Sequence, residues 1–200
     1  YRLAENQRFQ HALSVIDWLR ARDDDLDRNH PVRGNVLFNR GYCLKELNRP
    51  TEAKDSLESA IVIYQETFGS NHLHVGLCRQ RLGEIEEALG NLVQADTHYQ
   101  AALKLYEQWN RQFDIGFVCR ELGRLSRAAG DQQAADLWTN RGLTALSTSQ
   151  TPHGYSMRGQ LLLDSRQFDA AAASFVQAGE GYEKQGLRVE AAWMHCWQGD

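Results

Sequence analysis

Three arginines have a spacing that could serve anion binding. Arg120, Arg124 and Arg127 stand at positions i, i+4 and i+7, so a helix would carry them on one face. Guanidinium groups hold carboxylates and phosphates through paired hydrogen bonds. The alternative is a solvated face on which the arginines pair with carboxylates of the same protein. Those carboxylates are Glu84, Glu87 and Glu121. The sequence leaves both interpretations open.

Two further segments have the residue types of a metal site but not its spacing. The segment "DDDLD" at residues 23–27 offers carboxylates at alternate positions, as a calcium loop begins. Arg28 and Gly34 stand where such a loop needs glycine and glutamate. His72 and His74 have no third ligand close by in the sequence. We therefore interpret both segments as linkers and predict no metal.

No arrangement of side chains in the sequence supports a reaction. His195 and Cys196 are adjacent, so in a helix their side chains point apart and do not pair as nucleophile and base. The phosphate-loop, serine-hydrolase, zinc-protease and dinucleotide-binding motifs do not occur. We predict neither enzymatic activity nor a cofactor.

Composition narrows the class of protein further. Of the 200 residues, 42% are hydrophobic, and the net charge of -4 argues against a nucleic-acid-binding protein. No run of about 18 apolar residues exists, so we expect no membrane partner. The four cysteines lie far apart and indicate buried thiols in a reducing compartment, which predicts a cytoplasmic location.

The elements that position these side chains follow from an internal repeat. Four glycines each have an alanine twelve positions later and an alanine or glycine nineteen positions later. A glycine inside a helix lowers stability by about 1 kcal/mol relative to alanine, so its recurrence predicts two helices packed closely, glycine facing alanine. These repeat glycines are Gly41, Gly83, Gly123 and Gly159, roughly 40 residues apart.

Each repeat is predicted to be two helices joined by a short turn. Gly90 and Gly130 stand where the first helix should end in a left-handed residue. Asn91 and Asp131 follow as expected N-caps of the second helix. Three prolines fall near predicted helix starts, where a missing N–H does no harm. They are Pro31, Pro50 and Pro152.

This pattern resembles the tetratricopeptide repeat. The most similar segment is "LGEIEEALGNLVQADTHYQAALKLY", in which leucine and glycine precede alanine, an aromatic residue and alanine at the three offsets. The third repeat departs at Thr139 and Gly142, and the first and fourth repeats have arginine before the glycine. The tryptophan usual near the repeat start is replaced. The long units are similar to those of bacterial regulatory proteins and kinesin light chains.

The resemblance implies an all-α fold, a right-handed superhelix of antiparallel helix pairs. Residues 1–29 would form the second helix of a preceding repeat, and residues 186–200 the first helix of a truncated fifth one. The complete repeats are expected at residues 30–69, 70–110, 111–150 and 151–185. We expect the chain to be a fragment of a longer solenoid, with a C-terminal helix whose exposed tryptophans favour dimerisation.

The resemblance also implies a binding surface. In this family the first helices line the concave face, which binds peptides or helices. The chaperone-binding members use a lysine and asparagine clamp there, which this sequence does not match, so we predict no chaperone tail as partner. The predicted partner-binding residues are Asn35, Phe38, Asn39, Tyr42, Arg81, Glu84, Phe117, Arg120, Arg124, Arg127, Met157 and Gln160.

Two functions remain open from the sequence. The first is a non-catalytic scaffold that binds a protein or peptide, which carries an acidic or carboxylate group if the arginines take part. The second is a ligand-sensing regulatory segment of a larger bacterial signalling protein, attached to an NTPase, protease or DNA-binding effector.

Overall fold

The computed structural model describes residues 2–21 and 30–187. Within these ranges the ordered secondary structure is helical and no strand occurs. The helices are α1 (Arg2–Arg20), α2 (Pro31–Glu46), α3 (Pro50–Phe68), α4 (Leu73–Ala88), α5 (Leu92–Gln108), α6 (Gln112–Ala128), α7 (Gln132–Ala145), α8 (Pro152–Asp164) and α9 (Phe168–Lys184). The predicted all-α fold of helix pairs is confirmed. The tryptophans of the predicted fifth repeat, Trp193 and Trp197, lie outside the described residues.

The chain divides into two compact units after Leu105, within α5. In the first unit α2 packs against α1 and α3, α3 packs against α4, and α2 also touches α4. In the second unit α6 pairs with α7 and α8 with α9, while α8 also contacts α6 and α7. In each unit, therefore, the first helices of successive hairpins lie side by side.

Prolines begin three of the helices and an aspartate caps a fourth, as the sequence predicts. Pro31, Pro50 and Pro152 each occupy the first position of a helix. The carboxylate of Asp131 accepts the backbone N–H of Ala134 and caps α7. The first orphan N–H groups of these helices are thus either absent or satisfied.

The four hairpin turns share one backbone geometry. In each, the residue seven positions after the repeat glycine has a positive φ, and the next residue donates its N–H to a carbonyl five residues earlier. This is the Schellman arrangement, which satisfies carbonyls at the end of the first helix. Glycine supplies it at Gly90 and Gly130, as predicted, but Asn48 and Arg166 supply it in the other two turns.

The repeat glycines mark the closest contacts within the hairpins. A Cβ added to Gly83 would lie 2.7 Å from the ring of Tyr99, and one added to Gly159 would lie 2.6 Å from the ring of Phe175. The prediction that the repeat alanine faces the glycine is therefore corrected for three hairpins, in which the residue sixteen positions after the glycine fills this space. In the third hairpin the nearest atom is the carbonyl oxygen of the repeat alanine, Ala135. The alanine contributes its backbone in the first hairpin, where the carbonyl of Ala53 would lie 3.2 Å from a Cβ on Gly41.

A second row of small residues, missed in the sequence, lies seven positions before the repeat glycines. A Cβ on Gly34 would lie 2.7 Å from the ring of Tyr64, and one on Gly116 would lie 2.7 Å from Leu146. In the fourth repeat the large and small partners are exchanged, because Pro152 occupies this position and lies against Gly181. In each hairpin with this contact, the two helices therefore pack closely at two places, at the repeat glycine and seven positions before it.

Candidate functional site

The first unit presents a surface built from α2 and α4. We call it the α2–α4 face, and it comprises Asn35, Asn39, Tyr42, Lys45, Arg81 and Glu84. The two asparagines stand one helical turn apart and are exposed. Asn35 accepts a hydrogen bond of 2.8 Å from the buried hydroxyl of Tyr64. Its amide is thereby held in place by the core.

Charged and aromatic side chains link the two helices of this face. The Arg81 guanidinium lies over the Tyr42 ring, 5.3 Å from its centroid. Glu84 accepts from Arg81 at 2.8 Å and from Lys45 at 2.5 Å. Partial burial acts to lower the pKa of Lys45, but its hydrogen bond and ion pair with Glu84 outweigh this and raise it. Lys45 therefore stays charged and ties α2 to α4.

The second unit presents a more strongly charged surface. We call it the α6–α8 face, and it comprises Arg120, Glu121, Arg124, Arg127 and Asp164. Arg124 donates to Glu121 at 2.8 Å, and Arg120 contacts the same carboxylate at 3.2 Å. The Nε of Arg120 also donates to Asp164 at 2.7 Å, across the boundary between the two helices. The predicted arginine row is thus present and already engages two carboxylates.

Arg127 is held differently from the other two arginines. One terminal nitrogen lies 3.9 Å from Asp164. The other is buried, and within the described residues it has no hydrogen-bond partner. A Cβ on Gly123 would lie 3.6 Å from it, so this guanidinium fills space above the repeat glycine.

Part of the alternative pairing predicted from the sequence occurs. Arg81 pairs with Glu84, and Glu121 takes both Arg120 and Arg124. Glu87 instead accepts from the Tyr99 hydroxyl at 3.2 Å. Asp164 was not among the predicted residues.

Several predicted side chains are less available than expected. Met157 is only 4% exposed and packs with Leu146 and Leu161, so it belongs to the core rather than to a binding surface. Phe38 and Phe117, which were predicted to bind a partner, are half-buried against the hydrophobic cores of their own units. Gln160 is also half-buried. Each aromatic side chain therefore offers only part of its ring to a partner.

The candidate metal sites do not develop further. Among the described residues, no group of three or more metal-ligating side chains comes together. His72 and His74 stack on each other, 4.9 Å between ring centroids, and His72 caps α4 by accepting the N–H of His74. The acidic segment 23–27 and the pair His195 and Cys196 lie outside the described residues.

The cysteines of the described region are structural. Cys43, Cys78 and Cys119 are buried free thiols, as predicted. Burial raises the pKa of Cys78 and of Cys119 to about 12, so both remain protonated at neutral pH. None of these three thiols is a nucleophile at the surface. In the part of the chain that the structure describes, no helix is long and apolar enough to span a membrane.

Comparison with known proteins agrees with this architecture. Residues 32–108 match the family model of the tetratricopeptide repeat. No curated protein matches the chain. BtubC (BKLC) from P. vanneervenii is 18% identical with a TM-score of 0.66, and the match covers 96% of this chain and 72% of that one.

Two other solved structures show the same likeness. A protein of Podosopora anserina described as a kinesin light chain with nearly identical TPR-like repeats is 18% identical, with a TM-score of 0.65 over 98% of this chain and 90% of that one. MamA is 16% identical, with a TM-score of 0.52 over 89% and 91%. The sequence-based prediction of a tetratricopeptide-like fold is confirmed: residues 32–108 match the family model, and the chain has the fold of TPR-like helical repeat proteins.

Proposed function

We propose that the protein is a non-catalytic scaffold that binds a protein or peptide partner on its first-helix surfaces. Tetratricopeptide repeat proteins generally mediate protein–protein interaction. The observation that carries the proposal is that the first helices bury one side in the hairpins while their other side keeps polar, charged and aromatic groups accessible. These are the group types that peptide-binding grooves use.

The α2–α4 face supports recognition of peptide backbone. Asn35 and Asn39 are exposed amides one turn apart, and each can both donate and accept a hydrogen bond. The Tyr42 ring, partly covered by Arg81, adds a flat apolar surface beside them. A partner segment lying along α2 would meet amides first and an aromatic ring at one end.

The α6–α8 face supports recognition of an acidic partner. It has three guanidinium groups against two carboxylates, Glu121 and Asp164. Arg124 retains 46% of its side-chain exposure, so a partner carboxylate can reach it. Its internal partner Glu121 is only 9% exposed, so a partner carboxylate would bind the exposed edge of Arg124 in addition to Glu121 rather than replace it.

Charge reversal on the α6–α8 face tests this proposal. The double change Arg120→Glu and Arg124→Glu should abolish capture of the partner, measured by quantitative mass spectrometry of proteins bound from the source cell. Arg120→Glu places a third carboxylate beside Glu121 and Asp164, which disturbs the surface by charge repulsion. The milder Arg124→Gln variant, which adds no negative charge, should therefore be assayed as well, with a several-fold loss of partner capture expected. Circular dichroism of each variant establishes that the helices are intact.

A charge-matched control lies on the second helices. Lys104 and Lys184 are exposed on α5 and α9, and their joint reversal to glutamate changes net charge by the same amount. This control should bind normally. If the folded arginine variants capture the same partners as the wild type, the α6–α8 face is not the binding site.

The regulatory-segment alternative remains a prediction. It would need an effector domain elsewhere in the same protein, and no contact among the described residues distinguishes it from a scaffold.

A further inference from the structure

Asp164 is placed unusually for a surface carboxylate. It is the last residue of α8, and its Oδ2 lies 2.7 Å from the Nε of Arg120 and 3.9 Å from a terminal nitrogen of Arg127. Both arginines belong to α6. A side chain from the following hairpin thus reaches back onto the arginine row of the preceding one.

The helix that carries Asp164 does not favour its charge. The C-terminus of a helix bears a partial negative charge, which destabilises a carboxylate in the last turn. The compensation comes from the guanidinium groups of α6. The negative charge of Asp164 is therefore stabilised by the same guanidinium groups that would bind the carboxylate of a partner.

The arginine row is not saturated by its internal partners. Three guanidinium groups face two carboxylates, and one terminal nitrogen of Arg127 is buried without a partner among the described residues. Arg120 is divided between Glu121 and Asp164, contacting them through different nitrogens. If Asp164 withdraws, the Nε edge of Arg120 becomes available to a carboxylate arriving from outside.

We propose that Asp164 is an internal competitor that occupies the carboxylate position of the α6–α8 face and weakens the binding of acidic peptides. This inference rests on the proposed function, because it concerns the same arginines. An intramolecular carboxylate is present at high effective concentration, so a partner must offer several carboxylates to displace it. Selectivity for strongly acidic segments over singly charged ones follows.

The test compares Asp164→Asn with the wild type, using fluorescein-labelled hexaglutamate as the probe and fluorescence anisotropy as the measurement. The variant should bind the probe about three- to tenfold more tightly, because removing one charge-assisted contact is worth up to about a factor of ten. Labelled hexaglutamine should bind neither protein. Asp164→Glu, which keeps the charge, should retain the wild-type affinity.

A matched control separates a local effect from a change of net charge. Asp136 is exposed on α7 and accepts a hydrogen bond from Gln132 on the same helix. Asp136→Asn removes the same charge from the second unit and should change affinity less than twofold, because salt screens distant charges. Equal tightening in the two asparagine variants would overturn the proposal.

The outcomes separate this inference from the proposed function. If hexaglutamate binds the wild type through Arg124 but Asp164→Asn binds no more tightly, the competitor role is wrong and the acidic-partner surface stands. If neither protein binds hexaglutamate, both the competitor role and the acidic-partner surface are wrong. A thermal melt of each variant shows that the compared proteins are folded.

Discussion

The hairpins α4/α5 and α6/α7 follow the same sequence pattern but fill it differently. A Cβ on Gly83 would lie 2.7 Å from the ring of Tyr99, whereas the nearest atom to a Cβ on Gly123 is the Ala135 carbonyl oxygen at 3.4 Å. In the second hairpin Thr139 stands where the first has tyrosine, and Arg127 approaches the glycine. One glycine is therefore required by its neighbour, and the other is not.

The two hairpins also differ in whether the side chain near the repeat glycine belongs only to the core or also to the candidate binding surface. In α4/α5 the space above the glycine belongs to a fully buried ring. In α6/α7 it is shared with a side chain of the α6–α8 face, so the core of that hairpin and its binding surface meet at Arg127. A departure from the repeat pattern thus coincides with the charged surface.

Truncating the residue that stands sixteen positions after the repeat glycine should give the largest contrast between the two hairpins. Tyr99→Ala should lower the free energy of unfolding by about 3–5 kcal/mol, because it removes a fully buried ring and leaves a cavity. Thr139→Ala should lower it by about 1 kcal/mol, since it removes a small side chain and its hydrogen bond to the Ala135 carbonyl. Urea denaturation measures both. Equal losses would contradict the proposed difference in packing.

Adding a methyl group to Gly83 should have the next largest effect. Gly83→Ala should destabilise the protein by about 1–3 kcal/mol through overpacking against Tyr99. In a Tyr99→Thr background, which copies the third repeat, the same change should be neutral or favourable. A double-mutant cycle from urea denaturation measures this coupling, and additive effects would show that the two residues do not interact.

The same methyl group on Gly123 should be stabilising. Its nearest neighbours lie at ordinary contact distance, so Gly123→Ala should recover up to about 1 kcal/mol of helix propensity. Thermal denaturation followed by circular dichroism measures the shift. A fall in the melting temperature would mean that Arg127 cannot accommodate the added group.

The smallest expected effect concerns a hairpin turn. Arg166 has φ of 61°, a conformation that disfavours residues with a Cβ, whereas the equivalent Gly130 is unstrained at 80°. Arg166→Gly should stabilise the fold by about 0.5 kcal/mol. Asn48→Gly should give less, because asparagine tolerates this region better than arginine. The order of the two melting temperatures tests the prediction.

The hairpins could be predicted because their signal lies within one repeat. The offsets of twelve, sixteen and nineteen residues connect positions on two helices joined by a turn of fixed length, so Gly83, Ala95 and Ala102 mark both helices at once. The same approach, extended seven residues earlier, would have found Gly34 and Gly116. The turn residues Asn48 and Arg166 give no such signal, since neither residue type requires a positive φ.

The site was harder to predict because its contacts cross from one hairpin to the next. The helical spacing of Arg120, Arg124 and Arg127 identified the row, and the neighbouring Glu121 could be proposed as a partner. Asp164 lies in a different repeat, and its contact with Arg120 depends on how far α8 extends before its turn. The burial of Met157 likewise depends on how α8 rotates against α6.

The common geometry of the four hairpin turns has a practical consequence. Because each turn reverses the chain with the same number of residues and the same pair of backbone bonds, the segments between corresponding turns start and end in the same way, although their lengths differ by a few residues. A chimera that replaces residues 91–130 by a second copy of residues 49–90 would keep every chain reversal intact. Modular exchange of this kind would allow the charged surface to be moved, duplicated or deleted without redesigning the scaffold that presents it.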